Sequence, residues 1–121
     1  MAAPNDFDSN APADQPQRRR HGWSRVLVEG QSMAPALSPG EHLLVRWGAK
    51  VAVGDVVVAV RPDRPSLLVV KRAVRAEAGR WWLEGDNAEA SDDSRVFGLV
   101  RSDEVVGRVV ARIYPLPVRR L

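Results

Sequence analysis

Ser32 lies in the run Glu29-Gly30-Gln31-Ser32-Met33-Ala34-Pro35-Ala36-Leu37, and Lys71 follows 39 positions later in Leu67-Leu68-Val69-Val70-Lys71-Arg72. A serine hydroxyl becomes a useful nucleophile only when a neighbouring base takes its proton. Lysine can be that base, but not at its ordinary pKa near 10.4, where almost every side chain is an ammonium at neutral pH. Burial disfavours the charged form and lowers the pKa, by about 3–5 units in the extreme. The apolar residues around Lys71 are of the kind that would do this. Few other catalysts are on offer. The chain has no cysteine, which removes thiol nucleophiles, disulfides and thiolate metal sites together and fits a reducing compartment. Of its two histidines, His21 falls in the N-terminal tail and His42 at the start of a strand.

The choice of cation sharpens the pairing. The sequence holds sixteen arginines and two lysines, Lys50 and Lys71. Arginine stays protonated in proteins, whereas a buried lysine can titrate and act as a base. Lys50 reads as a turn residue. Lys71, inside an apolar segment, reads as chemistry. An acyl-transfer site also needs donors for a developing oxyanion. Gly30 allows close approach or a positive φ at the entrance to the turn, and the Ser32 amide is the natural donor.

The elements that must hold these groups are short and β-rich. Trp23 to Val28 reads as a first strand, and Gly30 to Leu37 as a turn with at most one helical turn. His42 to Trp47 follows the turn signal Ser38-Pro39-Gly40. Gly54-Asp55 opens a valine run from Asp55 to Arg61. Pro62-Asp63-Arg64-Pro65 then closes a hairpin onto Leu67–Val74, the lysine strand. Trp81-Trp82-Leu83 is a short strand ending at Gly85-Asp86-Asn87. Val105 to Ile113 is the last, followed by Pro115 and Pro117. Beta-branched runs without sustained 3.6-residue periodicity predict an all-β, barrel-like fold.

Four separated blocks carry a resemblance. They are Gly30 to Pro35, Gly54-Asp55, Lys71-Arg72, and Gly85-Asp86-Asn87 through Ser91-Asp92-Asp93-Ser94-Arg95 to Gly98. In this order the chain resembles the type I signal peptidases, peptidase family S26, over roughly Val26 to Pro115. The resemblance implies a compact β-rich Ser–Lys peptidase core of the signal-peptidase and repressor type. It implies Ser32 as nucleophile, Lys71 as general base and Ser91 as the hydroxyl that orients the lysine amine. It further implies Asp93 and Arg95 as a supporting ion pair, Gly85 as a glycine packed beside the site, and Met33 and Pro35 as shapers of the turn and groove. Gly30 stands where many members carry a serine or threonine that helps bind the oxyanion, so backbone amides must suffice here. The Lys71-to-Gly85 connection is short, which predicts no accessory domain. With Trp81-Trp82 ahead of Gly85 and an Arg112-Ile113-Tyr114-Pro115-Leu116-Pro117 end, the chain is similar to the nickel-type superoxide dismutase maturation proteases of that family. That likeness implies removal of a short N-terminal propeptide from a dismutase precursor.

The expected organisation is a disordered polar tail over 1–22, a peptidase domain over 23–117 and a frayed end over 118–121. No run of about 20 apolar residues is present, so no membrane anchor is expected. The tail lacks an apolar signal core. The expected setting is cytoplasmic, the expected partner a precursor protein, and no metal or cofactor is called for. Two other classes are weighed. Arg18-Arg19-Arg20 and Arg119-Arg120 could neutralise phosphates, but fifteen acidic residues leave a net charge of only +3 and argue against a nucleic-acid module. A self-cleaving Ser–Lys regulator needs a cleavable linker and usually a DNA-binding domain, and the first 22 residues contain no helix-turn-helix.

Overall fold

The computed structural model describes residues 21–121, and the tail expected over 1–22 lies outside them apart from His21 and Gly22. The strands are β1 (Gly22–Leu27), β2 (His42–Trp47), β3 (Val56–Arg61), β4 (Arg64–Glu77), β5 (Arg80–Glu84), β6 (Val100–Arg101), β7 (Val105–Tyr114) and β8 (Arg119–Arg120). Among the described residues, one four-residue helix, α1 (Ser94–Phe97), and two 3-10 turns complete them. All eight strands form one antiparallel sheet in the order β1-β2-β7-β3-β4-β5-β6, with β8 added to β7. The all-β expectation holds. Among the described residues, no helix is long and apolar enough to cross a membrane.

The valine run explains the centre of the sheet. A continuous apolar run, rather than an alternating one, is what a strand covered on both faces requires. Val56, Val58 and Val60 pack into the larger cluster with Val26, Met33, Leu37, Leu43, Val45, Trp47 and Val109. Val57 and Ala59 face the opposite cluster with Ala73, Leu83 and Val100. β4 pairs with β3 through Val56↔Arg72 and Val57↔Lys71, then passes to β5 from Arg72↔Glu84 onward. Lys71 therefore sits where the long strand leaves one partner for the next, with a fully buried valine across from it.

Several boundaries differ from expectation, each for a local reason. β1 begins at Gly22, because its ladder with β2 runs to Gly22↔Trp47. β3 begins at Val56, because the Asp55 N–H is turned back onto the Ala52 carbonyl at 3.1 Å while its carboxylate accepts the Ala52 N–H at 2.8 Å. The turn between β3 and β4 is only Pro62-Asp63, since Arg61 pairs with Arg64; Arg61 clamps Asp63 through Nε at 2.6 Å. β4 and β5 meet at Ala78-Gly79, both with positive φ (49° and 76°), as a two-residue hairpin turn demands. The end expected to fray does not. Arg119 and Arg120 pair with Arg112 and Ala111, and the Leu121 N–H donates to the Val110 carbonyl at 3.0 Å. That stretch of β7 lies beyond its ladder with β3, which ends at Val57↔Arg108, so its backbone groups are there to be paired.

Gly107 marks how tightly β7 crosses β2. A Cβ there would lie 2.8 Å from Trp47 Cε3 and 2.9 Å from Val45 Cγ1, both on buried side chains. Restricting the unfolded chain would favour alanine by about 0.4–1 kcal/mol, but overpacking a rigid core costs about 1–3 kcal/mol. Gly107→Ala is expected to lower the urea unfolding midpoint, and an unchanged midpoint would show that Trp47 can move aside freely.

Candidate active site

Lys71 is held on the middle of a paired strand with its side chain 4 % exposed. Burial lowers its pKa below the ordinary value. Asp93 and Asp92 act against that shift and favour the ammonium; Arg61 and Arg95 act with it. The net direction is downward, so the amine is more easily freed of its proton than a solvated lysine.

Among the described residues the amine's one side-chain partner is Ser91, whose Oγ accepts from Lys71 Nζ at 3.0 Å. Ser91 in turn donates to Asp93 Oδ2 at 2.8 Å. Asp93 is fully buried. It accepts the Gly85 N–H at 2.8 Å, the Arg95 N–H at 3.1 Å, Arg95 Nε at 2.9 Å, and Arg95 Nη2. Burial alone would raise the Asp93 pKa, but these donors overcome it and hold the carboxyl well below the usual carboxylate range. An ionised carboxylate can only accept. The Ser91 proton is therefore committed to Asp93, and Ser91 can meet Lys71 only as an acceptor. A neutral lysine amine then uses an N–H on Ser91 and keeps its lone pair for another neighbour.

Ser32 sits on a turn with one helical turn's worth of bonds, Ala34 N–H to Gln31 O at 3.1 Å and Leu37 N–H to Met33 O at 2.8 Å. Met33 and Leu37 are buried and pin the turn to the larger core. Gly30 precedes it with φ +81°, and a Cβ there would meet nothing, so glycine serves the backbone conformation rather than space. Gly85 is the reverse case. A Cβ there would lie 2.6 Å from the Ser32 carbonyl oxygen and 2.7 Å from Ser91 Cβ. Gly85 thus packs between the turn of Ser32 and the side chain of Ser91.

Ser32 and Lys71 line one cleft of about 160 Å³ together with Leu27, Val28, Glu29, Gly30, Met33, Leu37, Leu68, Val69 and Val70. Neither the Ser32 hydroxyl nor its amide finds a hydrogen-bond partner among the described residues. Both remain available to a ligand in the cleft. Pro35, expected to shape the groove, is exposed and does not line it; its peptide bond with Ala34 is cis. No cluster of three metal-ligating side chains occurs among the described residues.

Sequence reading missed the residues that dock the blocks to each other. The Asn87 N–H donates to the Ser32 carbonyl at 2.8 Å, and Asn87 Nδ2 donates to the Gln31 carbonyl at 3.1 Å. Arg72 grips Asp86 through Nε at 2.9 Å and Nη2 at 2.8 Å, while its Nη1 donates to the Gly54 carbonyl at 2.8 Å. Buried Ser94 Oγ accepts the Leu83 N–H at 2.8 Å. Gly54, Arg72, Asp86, Asn87 and Ser94 all fall within the motif blocks, but the blocks gave them no role. His42 is a structural residue, accepting from Arg25 Nε at 2.9 Å and meeting Tyr114 edge-on at 5.2 Å.

The chain matches the peptidase S24-like family over residues 9–110, upstream of the domain start expected at residue 23. It is 32 % identical to mitochondrial inner membrane protease subunit 1 of Xenopus tropicalis, over 75 % of this chain and 69 % of that protein. Subunit 2 of the Schizosaccharomyces pombe protease is 31 % identical, over 79 % of this chain and 67 % of its own length. The mitochondrial ATP-independent inner membrane protease subunit 1a of Arabidopsis thaliana is 33 % identical, over 79 % and 73 % respectively.

The depressed Asp93 pKa makes a stability prediction. Its contribution is fully present above the ordinary carboxyl pKa of about 3.9 and is lost as pH falls from there through the lower folded-state value. Asp93→Asn is expected to reduce stability at neutral pH and to flatten the acid limb of stability against pH. A variant whose acid limb matches the parent's would remove Asp93 from this role.

Proposed function

The chain belongs to the peptidase S24-like family, and we propose that it is a serine endopeptidase in which Ser32 attacks the scissile carbonyl and Lys71 is the general base. The observation that carries this reading is the shared cleft. It brings Ser32 together with a buried lysine whose one side-chain hydrogen bond among the described residues, to Ser91, leaves the amine lone pair uncommitted.

The chemistry follows from those roles. Lys71 Nζ takes the Ser32 proton as Oγ bonds to the carbonyl carbon, and the Ser32 amide receives the developing oxyanion. The ammonium then gives that proton to the departing amine, leaving an acyl-serine. Water attacks the ester, Lys71 takes its proton, and the proton returns to Ser32 Oγ as the acid leaves. Ser91 holds the amine in line throughout, as a positioning residue.

The relatives' names support a protease, and the resemblance of the motif blocks to the type I signal peptidases supports one that processes protein precursors. A narrower reading is kept alongside it, because Trp81-Trp82 and the Arg112-to-Pro117 end resemble the nickel-type superoxide dismutase maturation proteases. In that reading the substrate is a propeptide-bearing dismutase precursor and the site of action is cytoplasmic. Co-expression with such a precursor and, separately, with a signal-peptide-bearing precursor separates the two, the product N-terminus being read by mass spectrometry. Trimming of the signal-peptide substrate alone would discard the narrower reading.

Ser32→Ala and Lys71→Arg are each expected to lower kcat/KM by about 100- to 10,000-fold. An arginine cannot give up its proton, so near-normal cleavage by Lys71→Arg would refute the dyad. Ser91→Ala removes one hydrogen bond to the amine and is expected to lose about 10- to 100-fold. Because the base is the deprotonated form, kcat/KM should rise with pH, on a limb displaced below that of an ordinary lysine.

A further inference from the structure

Glu29 is the one acidic side chain among the cleft residues, and it is exposed. It makes no hydrogen bond or ion pair among the described residues. Its neighbours along the cleft are Leu27, Val28, Gly30, Leu68, Val69 and Val70, none of which can offset a charge. Lys71 is the sole cation there, and it must be neutral to act as a base. In the working state the cleft therefore carries a single, negative charge.

We propose that Glu29 is a specificity-determining residue that selects substrates with a cationic side chain, lysine or arginine, close to the scissile bond. This rests on the Ser32–Lys71 reading and names the substrate class of that same cleft. Glu29 lies three residues before Ser32, so an extended chain separates them by at most about 11 Å. A bound substrate strand rising about 3.3 Å per residue would bring the cation opposite Glu29 within about three residues of the cleaved bond. The charges that shift Lys71 are Asp93, Asp92, Arg61 and Arg95. Glu29 is not among these largest contributors, so its replacement reports chiefly on the substrate. A rim carboxylate in water gives a modest, salt-sensitive attraction.

The test uses the full chain and peptides spanning the mapped cleavage site, each flanking position replaced in turn by Lys or Glu. The readout is the ratio of kcat/KM for the Lys peptide over the Glu peptide. At one position the parent enzyme is expected to favour Lys by about two- to fivefold, with the ratio shrinking at high salt. Glu29→Gln should bring the ratio near one, and Glu29→Lys should invert it. A ratio near one at every position, or one that survives Glu29→Gln, overturns the proposal. Cleavage of the same peptides by Ser32→Ala would instead overturn the dyad reading, so the two failures are distinguishable.

Discussion

Asp93 is the constraint on which the site depends. A buried carboxylate is tolerable only when its oxygens are met by donors, and here Oδ1 and Oδ2 together receive Arg95, the Gly85 and Arg95 amides and Ser91. Meeting that requirement sets everything around it. It caps α1, it fixes the backbone at Gly85, and it dictates which way the Ser91 proton points. The lysine is oriented by a hydroxyl that has no freedom to turn round. A single carboxylate thus decides the direction of a hydrogen bond one residue removed from it.

The same carboxylate works against the chemistry it arranges. Asp93 and its neighbour Asp92 favour the Lys71 ammonium, which is the inactive form of a base. Burial in the apolar wall made by β3 and β4 is the larger effect and wins. Arg95 and Arg61 tip the balance further. Arg95 does two jobs at once, since pairing with Asp93 both satisfies the acid and offsets its field at the lysine. Placing the guanidinium on the exposed side of the pair leaves the amine the less solvated cation.

Much of this was legible in the sequence, and the limits have physical causes. The valine run announced a strand covered on both faces, and Lys71 stood out because an arginine-rich chain had set a titratable cation among apolar residues. Ser91, Asp93, Arg95 and Gly85 were found through a motif and are brought together in the structure. What the motif could not convey was direction. An Asp–Arg spacing of two residues looks the same for a surface pair and for a buried acid that also binds Gly85 and Ser91. Likewise, nothing local marks Asn87 as the clasp on the Ser32 turn, because its partners are backbone carbonyls 55 and 56 positions away. Pairing of Arg119-Arg120 escaped for a related reason: a two-residue strand is too short to show alternation and exists only because β7 extends past its partner.

Charge and protonation in the cleft are coupled through this arrangement. With Lys71 protonated, its positive charge and the negative charge of Glu29 cancel in the lining, and a cationic side chain meets no net field. When the proton leaves, the lining carries only the Glu29 charge. On the proposed reading of the cleft, a cationic substrate binds better to the form with Lys71 neutral, and by linkage its binding favours that form. An arginine at position 71 would fail twice, since it could neither take the serine proton nor vacate its charge. On the proposed dyad, the lysine that stands out in the sequence serves both ends.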